Sequence, residues 1–282
     1  MDYGEKVERG PEFIPSPLNN NMINYAEYYL SATEKIIFFL ITFITGGAAG
    51  MVFYGGLFKV DGEATMATTI SNTVVFCVIG CIAAKFFIPV LRESMRQKRS
   101  KRLEKQFVNM LDGLASSLAA GNTVNGAFVN AETDMKNQYS EDEVIVREIS
   151  EIVLGLGNGR TLEEMVAAFG VRSNSEDIEN FSNVISNCHR MGGNFKDVIR
   201  KTRDIISDKS AIADEITTKL ASNKLQHNAM CIMPIVLVAM LRMSSRSFAD
   251  NLASPLGVVV TTLAIGLFVA SYFWGRKIID IG

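Results

Sequence analysis

The sequence predicts an all-α membrane protein with four transmembrane helices and a central cytosolic helical bundle. Charge is sparse in four long apolar runs and dense between them, so the formal net charge of −2 hides an uneven distribution along the 282 residues. Between the second and third runs, apolar residues recur at helical spacing and proline is absent. Together these patterns indicate membrane spans that flank one helical domain.

The four runs are long enough to cross the hydrocarbon core of a bilayer, which takes about 20 residues. The predicted spans are residues 36–58, 68–91, 225–243 and 255–274. The first span contains Gly46 and Gly50, whose spacing places both glycines on one helix face where another helix can approach closely. The spacing does not decide whether that partner is another span of this chain or another subunit.

The orientation of the spans is predicted by segment 92–105, which carries seven basic residues against two glutamates. Basic residues next to a span stay on the cytoplasmic side. Arg276 and Lys277 after the last span agree with this orientation, whereas Arg242 and Arg246 in the second outer loop mildly oppose it. We therefore expect a multi-pass protein of the cell inner (cytoplasmic) membrane with both termini in the cytoplasm.

The N-terminal region, residues 1–35, is predicted to be a cytosolic tail with an amphipathic lead-in. Three prolines and three consecutive asparagines make 1–21 a mobile tail without a core. Residues 22–35 are predicted to form a short helix, with Ile23, Tyr28 and Leu30 available to lie at the membrane surface. The region is either a partner-binding arm or a simple lead-in to the first span.

Residues 92–224 are predicted to form the cytosolic helical domain, and 225–282 the second transmembrane hairpin with a short tail. We expect uninterrupted helices over 90–119 and 195–243. The apolar residues that follow helical spacing are Leu103, Phe107, Met110, Leu111, Leu114, Leu118, Ile178, Phe181, Val184, Ile185, Cys188, Val198, Ile199, Ile205 and Ile206.

Glycines mark the turns of this domain. At Gly121, at Gly159 and at the pair Gly192 and Gly193, an amphipathic helix begins shortly after the glycine. Glycine can close a helix in the left-handed conformation, and Asn or Thr can cap the next one. The stretches that fit a capping box are Thr161–Glu164, Ser140–Glu143 and Ser173–Glu176.

The sequence shows no catalytic, cofactor-binding or metal-binding constellation. Cys188 and His189 are neighbours on a predicted helix and therefore point about 100° apart, which does not suit a nucleophile and its base. Gly155 to Gly159 is one residue too short for a phosphate loop and follows a helix. Metal-ligand spacings are missing, and the one basic cluster next to a span is better explained by orientation than by nucleic acid.

The carboxylates of the domain fall mostly at predicted helix starts, where the helix dipole favours them. They are Glu132, Asp134, Glu141, Asp142, Glu143, Glu163, Glu164, Glu176, Asp177 and Glu179. Solvated helix ends explain most of them, and an acidic docking face over 141–151 or 163–164 is the other interpretation. From its residues alone, the chain is a non-enzymatic docking or scaffolding protein held in a membrane.

Residues 111–128 read LDGLASSLAAGNTVNGAF, residues 181–201 read FSNVISNCHRMGGNFKDVIRK, and a Gly-Arg-Thr-Leu-Glu-Glu turn lies between them. This pattern resembles the type II secretion system F domain. The charged helix that runs into a proline-containing span over 209–237 is similar to the TadB/TadC branch of the tight-adherence (Flp) pilus systems. The resemblance covers about residues 90–275.

The resemblance implies an inner-membrane platform for pilus assembly or secretion. Its implied partners are a cytosolic secretion ATPase, pilin subunits, a second F-domain membrane protein and the lipid bilayer, in a homo- or hetero-oligomer. The candidate residues for docking of the ATPase are Arg96, Arg99, Lys101, Arg102, Glu163 and Glu164. The alternatives are a membrane-anchored signalling adaptor or receptor, which would show sustained heptads, and a membrane enzyme or transporter, which would need polar residues inside the spans or a catalytic cluster.

Overall fold

The computed structural model describes residues 12–58, 65–190 and 195–279. Over these residues the chain is nearly all helical, which confirms the predicted fold class. One short antiparallel hairpin pairs β1 (Phe13–Pro15) with β2 (Asn21–Ile23). The helices of the described residues are α1 Ala32–Tyr54, α2 Met66–Ala119, α3 Val124–Gln138, α4 Val144–Gly157, α5 Leu162–Ser173, α6 Glu176–Arg190, α7 Phe195–Ser244, α8 Arg246–Leu252 and α9 Pro255–Ile279.

Four of these helices, α1, α2, α7 and α9, are long and apolar enough to cross a membrane. Their apolar windows are almost entirely exposed, with at most 17% of a window buried inside the chain. Such large exposed apolar surfaces are not left in water by a soluble monomer. The chain is therefore a multi-pass membrane protein by the length, composition and exposure of these helices.

The predicted uninterrupted helices over 90–119 and 195–243 are confirmed, because α2 and α7 contain them whole. α2 has 54 residues and continues across Pro89, near the end of the second predicted span. The first predicted span ends earlier than expected, since α1 stops at Tyr54 and the next four residues form a turn.

The chain divides into two compact units. The first contains the described residues of 12–29 and 92–213, and the second contains those of 30–91 and 214–279. The first unit is built from the end of α2, the helices α3 to α6 and the first part of α7. The second contains α1, the apolar half of α2, the apolar half of α7, and α8 and α9.

Aromatic packing fills the core of the first unit. Phe107 of α2 lies edge-on to Phe169 of α5 and Phe181 of α6, with ring centroids 6.0 and 5.3 Å away. All three rings are fully buried, as the helical spacing of Phe107 and Phe181 predicted. Val184 and Ile205 follow the same spacing but are 39% and 59% exposed, so the predicted apolar faces are wider than the buried ones.

The N-terminal segment differs from the prediction. Residues 12–23 form the β-hairpin instead of a mobile tail, and residues 24–31 are not helical. The predicted helix over 22–35 is wrong because this segment packs onto the first unit: Tyr25 is 1% exposed and belongs to its core. α1 begins only at Ala32, after Ser31, whose backbone N–H donates to the Glu34 carboxylate at 2.9 Å. Residues 1–11 lie outside the described part.

In the second unit, glycines bring α1 and α2 into close contact. A Cβ on Gly46 would collide with the Cβ of Ala83, and a Cβ on Gly50 would lie 2.7 Å from Ile79. On the facing helix, a Cβ on Gly80 would lie 2.8 Å from the carbonyl oxygen of Phe43. The face that carries Gly46 and Gly50 therefore packs against a span of the same chain.

We expect Gly46→Ala to destabilise the second unit by roughly 1–3 kcal/mol, because the new methyl group overpacks the contact with α2. Gly266→Ala is the matched control, since a Cβ on this glycine of α9 meets nothing within 4 Å and alanine favours a helix. Thermal unfolding of both variants in detergent micelles measures the difference. Equal melting temperatures for Gly46→Ala and the wild type would contradict the close packing.

Candidate docking surface

The candidate basic residues lie on two different faces of α2. Arg99 faces the N-terminal segment, where its guanidinium lies 5.5 Å from the ring centroid of Tyr25 and 5.0 Å from that of Tyr28. It also donates hydrogen bonds to the carbonyl oxygens of Asn24 and Glu27. Cation–π and carbonyl contacts of this kind attach the segment to α2. Arg99 thus has a role inside the first unit.

The other three basic candidates make fewer contacts within the first unit than Arg99 does. Arg96 pairs with Glu93 one turn earlier, at 2.7 Å. Lys101 is exposed. Arg102 is 64% exposed at its side chain and approaches the carboxylate of Glu143 at 3.4 Å. Lys101 and Arg102 are therefore the candidates most open to a partner.

The acidic candidates lie in the first turn of α5. The side chain of Thr161 caps this helix by accepting the N–H of Glu164 at 3.3 Å, as the predicted capping box requires of that residue. Arg160 donates to the Glu164 carboxylate at 3.2 Å, and both side chains are exposed. Glu163, next to it, is half-buried. The start of α5, here called the acidic corner, is therefore negatively charged, and Arg160 neutralises part of that charge.

The turns that precede α3 and α5 each contain a glycine in a backbone conformation that would be strained for any other residue. Gly121 has a φ of 91° and Gly159 a φ of 78°, in the left-handed region that glycine adopts readily. Thr123 caps α3 after the first of these turns by accepting the N–H of Gly126 at 3.2 Å. Gly192 and Gly193, the predicted third turn, lie outside the described residues.

Two of the predicted capping boxes are wrong. α4 begins at Val144 with Glu143 as its N-cap, so Ser140 lies too far upstream. Ser173 is the last residue of α5, and α6 begins at Glu176. In both cases a Ser and a Glu three residues apart satisfy the sequence pattern without starting a helix at the serine.

Part of the predicted acidic face over 141–151 is interior. Glu148 is 1% exposed and Glu151 is 6% exposed, so neither carboxylate can contact a partner protein. Glu148 pairs with Arg172 of α5 at 2.5 Å and accepts a hydrogen bond from the Tyr25 hydroxyl at 3.1 Å. The docking interpretation is wrong for these two residues.

Glu151 binds the turn of the β-hairpin. Its carboxylate accepts the Ser16 hydroxyl at 2.5 Å and the Asn20 side-chain amide at 2.9 Å. The backbone N–H of Tyr25 also donates to the carbonyl of Arg172 at 3.0 Å. Glu148 and Glu151 therefore attach the N-terminal segment to α4, and the carbonyl of Arg172 attaches it to α5.

The burial of this cluster changes the ionisation of its members. Desolvation raises the pKa of Glu148, and the ion pair with Arg172 opposes that rise. Desolvation, with the nearby Glu148, raises the pKa of Tyr25 well above its usual value, so this hydroxyl stays protonated and remains a donor. A sequence signal for the cluster exists: Glu148 lies between Ile145 and Ile149 on the buried face of α4.

In the second unit, Arg242 near the end of α7 binds the end of α1. Its guanidinium donates to the carbonyl oxygens of Met51, at 3.0 Å, Val52, at 2.6 Å, and Gly55. The last carbonyls of a helix have no partner within the helix, and an arginine is well suited to bind them. This contact gives a structural reason for the presence of Arg242, a basic residue that the predicted orientation places outside the cytoplasm.

No group of three or more His, Cys, Asp or Glu side chains among the described residues could hold a metal ion. Cys188 is buried in α6, where it packs as a small apolar residue. The buried side chains of Glu148, Glu151, Arg172 and Tyr25 instead bind one another and the N-terminal segment, an arrangement suited to holding elements together.

A double-mutant cycle tests the buried ion pair. Glu148→Met is expected to cost about 3–5 kcal/mol of unfolding free energy, because it leaves the charge of Arg172 buried and unpaired. Glu148→Met combined with Arg172→Met should recover most of that loss. Denaturant unfolding of the purified protein measures both. Single and double variants of equal stability would contradict the described pairing.

We expect Arg242→Gln to lower the unfolding free energy by about 1–3 kcal/mol, since it removes charged hydrogen bonds to three carbonyl groups. Arg246→Gln is the control, because this arginine carries the same charge one turn later and is exposed. Melting temperatures in micelles compare the two variants. A loss of the same size in both would assign the effect to charge alone.

Residues 110–243 match the model of a family described as type II secretion system (T2SS), protein F. The match runs from within α2 to within α7 and covers slightly less than half of the chain; the N-terminal segment lies outside it. No curated protein and no solved structure matches the chain. The match supports the family resemblance over these residues and indicates a membrane platform protein of secretion or pilus systems.

Proposed function

We propose that this chain is an inner-membrane platform protein of a Tad/Flp-type pilus or a type II secretion-like machine. In this role it couples a cytosolic secretion ATPase to the extraction of pilin subunits from the bilayer and to fibre assembly. One observation carries the proposal: the region that matches the family includes most of the helices of a compact unit, and that unit is continuous in sequence with helices long enough to span a membrane.

The basic segment 92–105 supports a topology with both termini in the cytoplasm. In that topology the first unit faces the cytosol, where it is accessible to an ATPase. The exposed apolar surfaces of α1, α2, α7 and α9 face lipid, pilin helices or a second F-domain protein, in a homo- or hetero-oligomer.

The proposed mechanism uses the continuity of two helices. α2 and α7 each run without interruption between a polar part in the first unit and an apolar part in the second. Pro89 in α2 and Pro234 in α7 each lack a backbone N–H, but both helices continue across the proline, so a shift that the ATPase imposes along the polar part still reaches the apolar part. Proteins of this family are structural platforms, and the proposal includes no catalytic residue.

The ATPase is proposed to dock on charged residues of the first unit that are exposed or half-buried. The candidates are Arg96, Lys101, Arg102, Glu163 and Glu164. Arg99 is less suited to this role than its neighbours, because its guanidinium is engaged with the N-terminal segment.

Affinity purification from native membranes tests the proposal, with a tag at the C-terminus and mass spectrometry of the co-purified proteins. We expect a secretion ATPase, a second F-domain membrane protein and pilin to be enriched over a mock purification from untagged cells. Recovery of a kinase or receptor without an ATPase or an F-domain protein would overturn the platform function and favour a signalling adaptor.

A further inference from the structure

The seven basic residues of segment 92–105 divide between two faces of α2. At 100° per residue, Arg92, Arg96 and Arg99 fall on one face, here called the inner face. The remaining four fall on an outer face, centred roughly 140° away around the helix axis. The outer face consists of Lys98, Lys101, Arg102 and Lys105.

The inner face is occupied by contacts within the first unit. Arg92 pairs with Glu27 and donates to the carbonyl of Tyr28 at 2.7 Å. Arg99 is held by tyrosine rings and carbonyl oxygens of the same N-terminal segment. The charges of this face therefore stabilise the fold.

The outer face has no such role. Lys98, Lys101 and Lys105 are exposed, and none of them forms an ion pair with a described residue. Arg102 has the single long contact with Glu143. Like charges three and four residues apart on a helix repel one another, so these four charges weaken α2 instead of stabilising it.

We propose that the outer face of α2 binds a carboxylate-rich surface of the cytosolic partner protein. The inference rests on the proposed function, which makes that partner the secretion ATPase. Three lysines without an ion pair among the described residues, next to the exposed Arg102, attract an acidic protein surface and orient its approach. Lipid headgroups suit the far end of this face less well, because Lys105 lies about 21 Å along the helix from Leu91, more than two Debye lengths at physiological salt.

Purified components test the inference. The full-length protein is placed in nanodiscs of zwitterionic phosphatidylcholine, and its affinity for the purified secretion ATPase of the same cell is measured at several salt concentrations. We expect Lys98→Gln, Lys101→Gln and Lys105→Gln together to weaken binding about tenfold at low salt, with the difference shrinking as salt rises. Nanodiscs expose both sides of the membrane, so an altered insertion orientation cannot mimic the result.

Two matched variants control for charge and folding. Replacing the same three lysines by arginine keeps the charge and should keep the affinity. Lys136→Gln, Arg147→Gln and Arg200→Gln together remove three exposed positive charges elsewhere on the first unit and should leave binding unchanged. Glu163→Lys with Glu164→Lys tests the acidic corner in parallel.

Wild-type affinity in the outer-face glutamine variant would overturn the inference and leave the proposed function intact. Equal losses in that variant and the charge control would also overturn it. So would a loss that is absent in phosphatidylcholine discs and appears only in a parallel set of discs that contain anionic lipid. If the wild-type protein fails to bind the ATPase at all, the proposed ATPase coupling fails and the inference fails with it.

Discussion

The buried pair of Glu148 and Arg172 is the constraint on which the first unit depends. A carboxylate in the interior is tolerated only when its charge is paired and its oxygens are hydrogen-bonded. Arg172 supplies the charge, but the tyrosine donor comes from the N-terminal segment, which also binds the second buried carboxylate, Glu151. The segment is therefore an integral part of a unit whose family-matched portion begins only at residue 110.

The second unit is held by a different kind of contact. Lipid offers little hydrophobic gain when two helices associate, so the helices need close packing and polar contacts instead. Glycines let α1 and α2 approach closely, and Arg242 satisfies carbonyl groups where α1 ends. Both contacts involve α1, which ties the first predicted span to two other long helices of the unit.

The sequence was sufficient where local rules decide the structure. Helix periodicity located the core of α2, and the glycine at Gly159 marked a turn that a threonine cap then completes. The prediction from sequence failed over residues 22–31, where the spacing of Ile23, Tyr28 and Leu30 fits an amphipathic helix that does not form. The outcome there depends on a hydrogen bond from Tyr25 to a glutamate 123 positions later, which no local window contains.

The basic segment of α2 shows why counting charges and locating them lead to different conclusions. Orientation in the membrane depends on how many basic residues follow a span, and a sequence contains that number. Attachment of the N-terminal segment depends on which face each residue occupies and on what lies opposite. Neutralising Arg99 would therefore disturb the attachment of the N-terminal segment, so a loss of binding in that variant could not be assigned to the partner. The lysines of the outer face take no part in that attachment. Residues of one charge and one segment thus need separate variants, grouped by helix face, before a loss of binding can be assigned to docking.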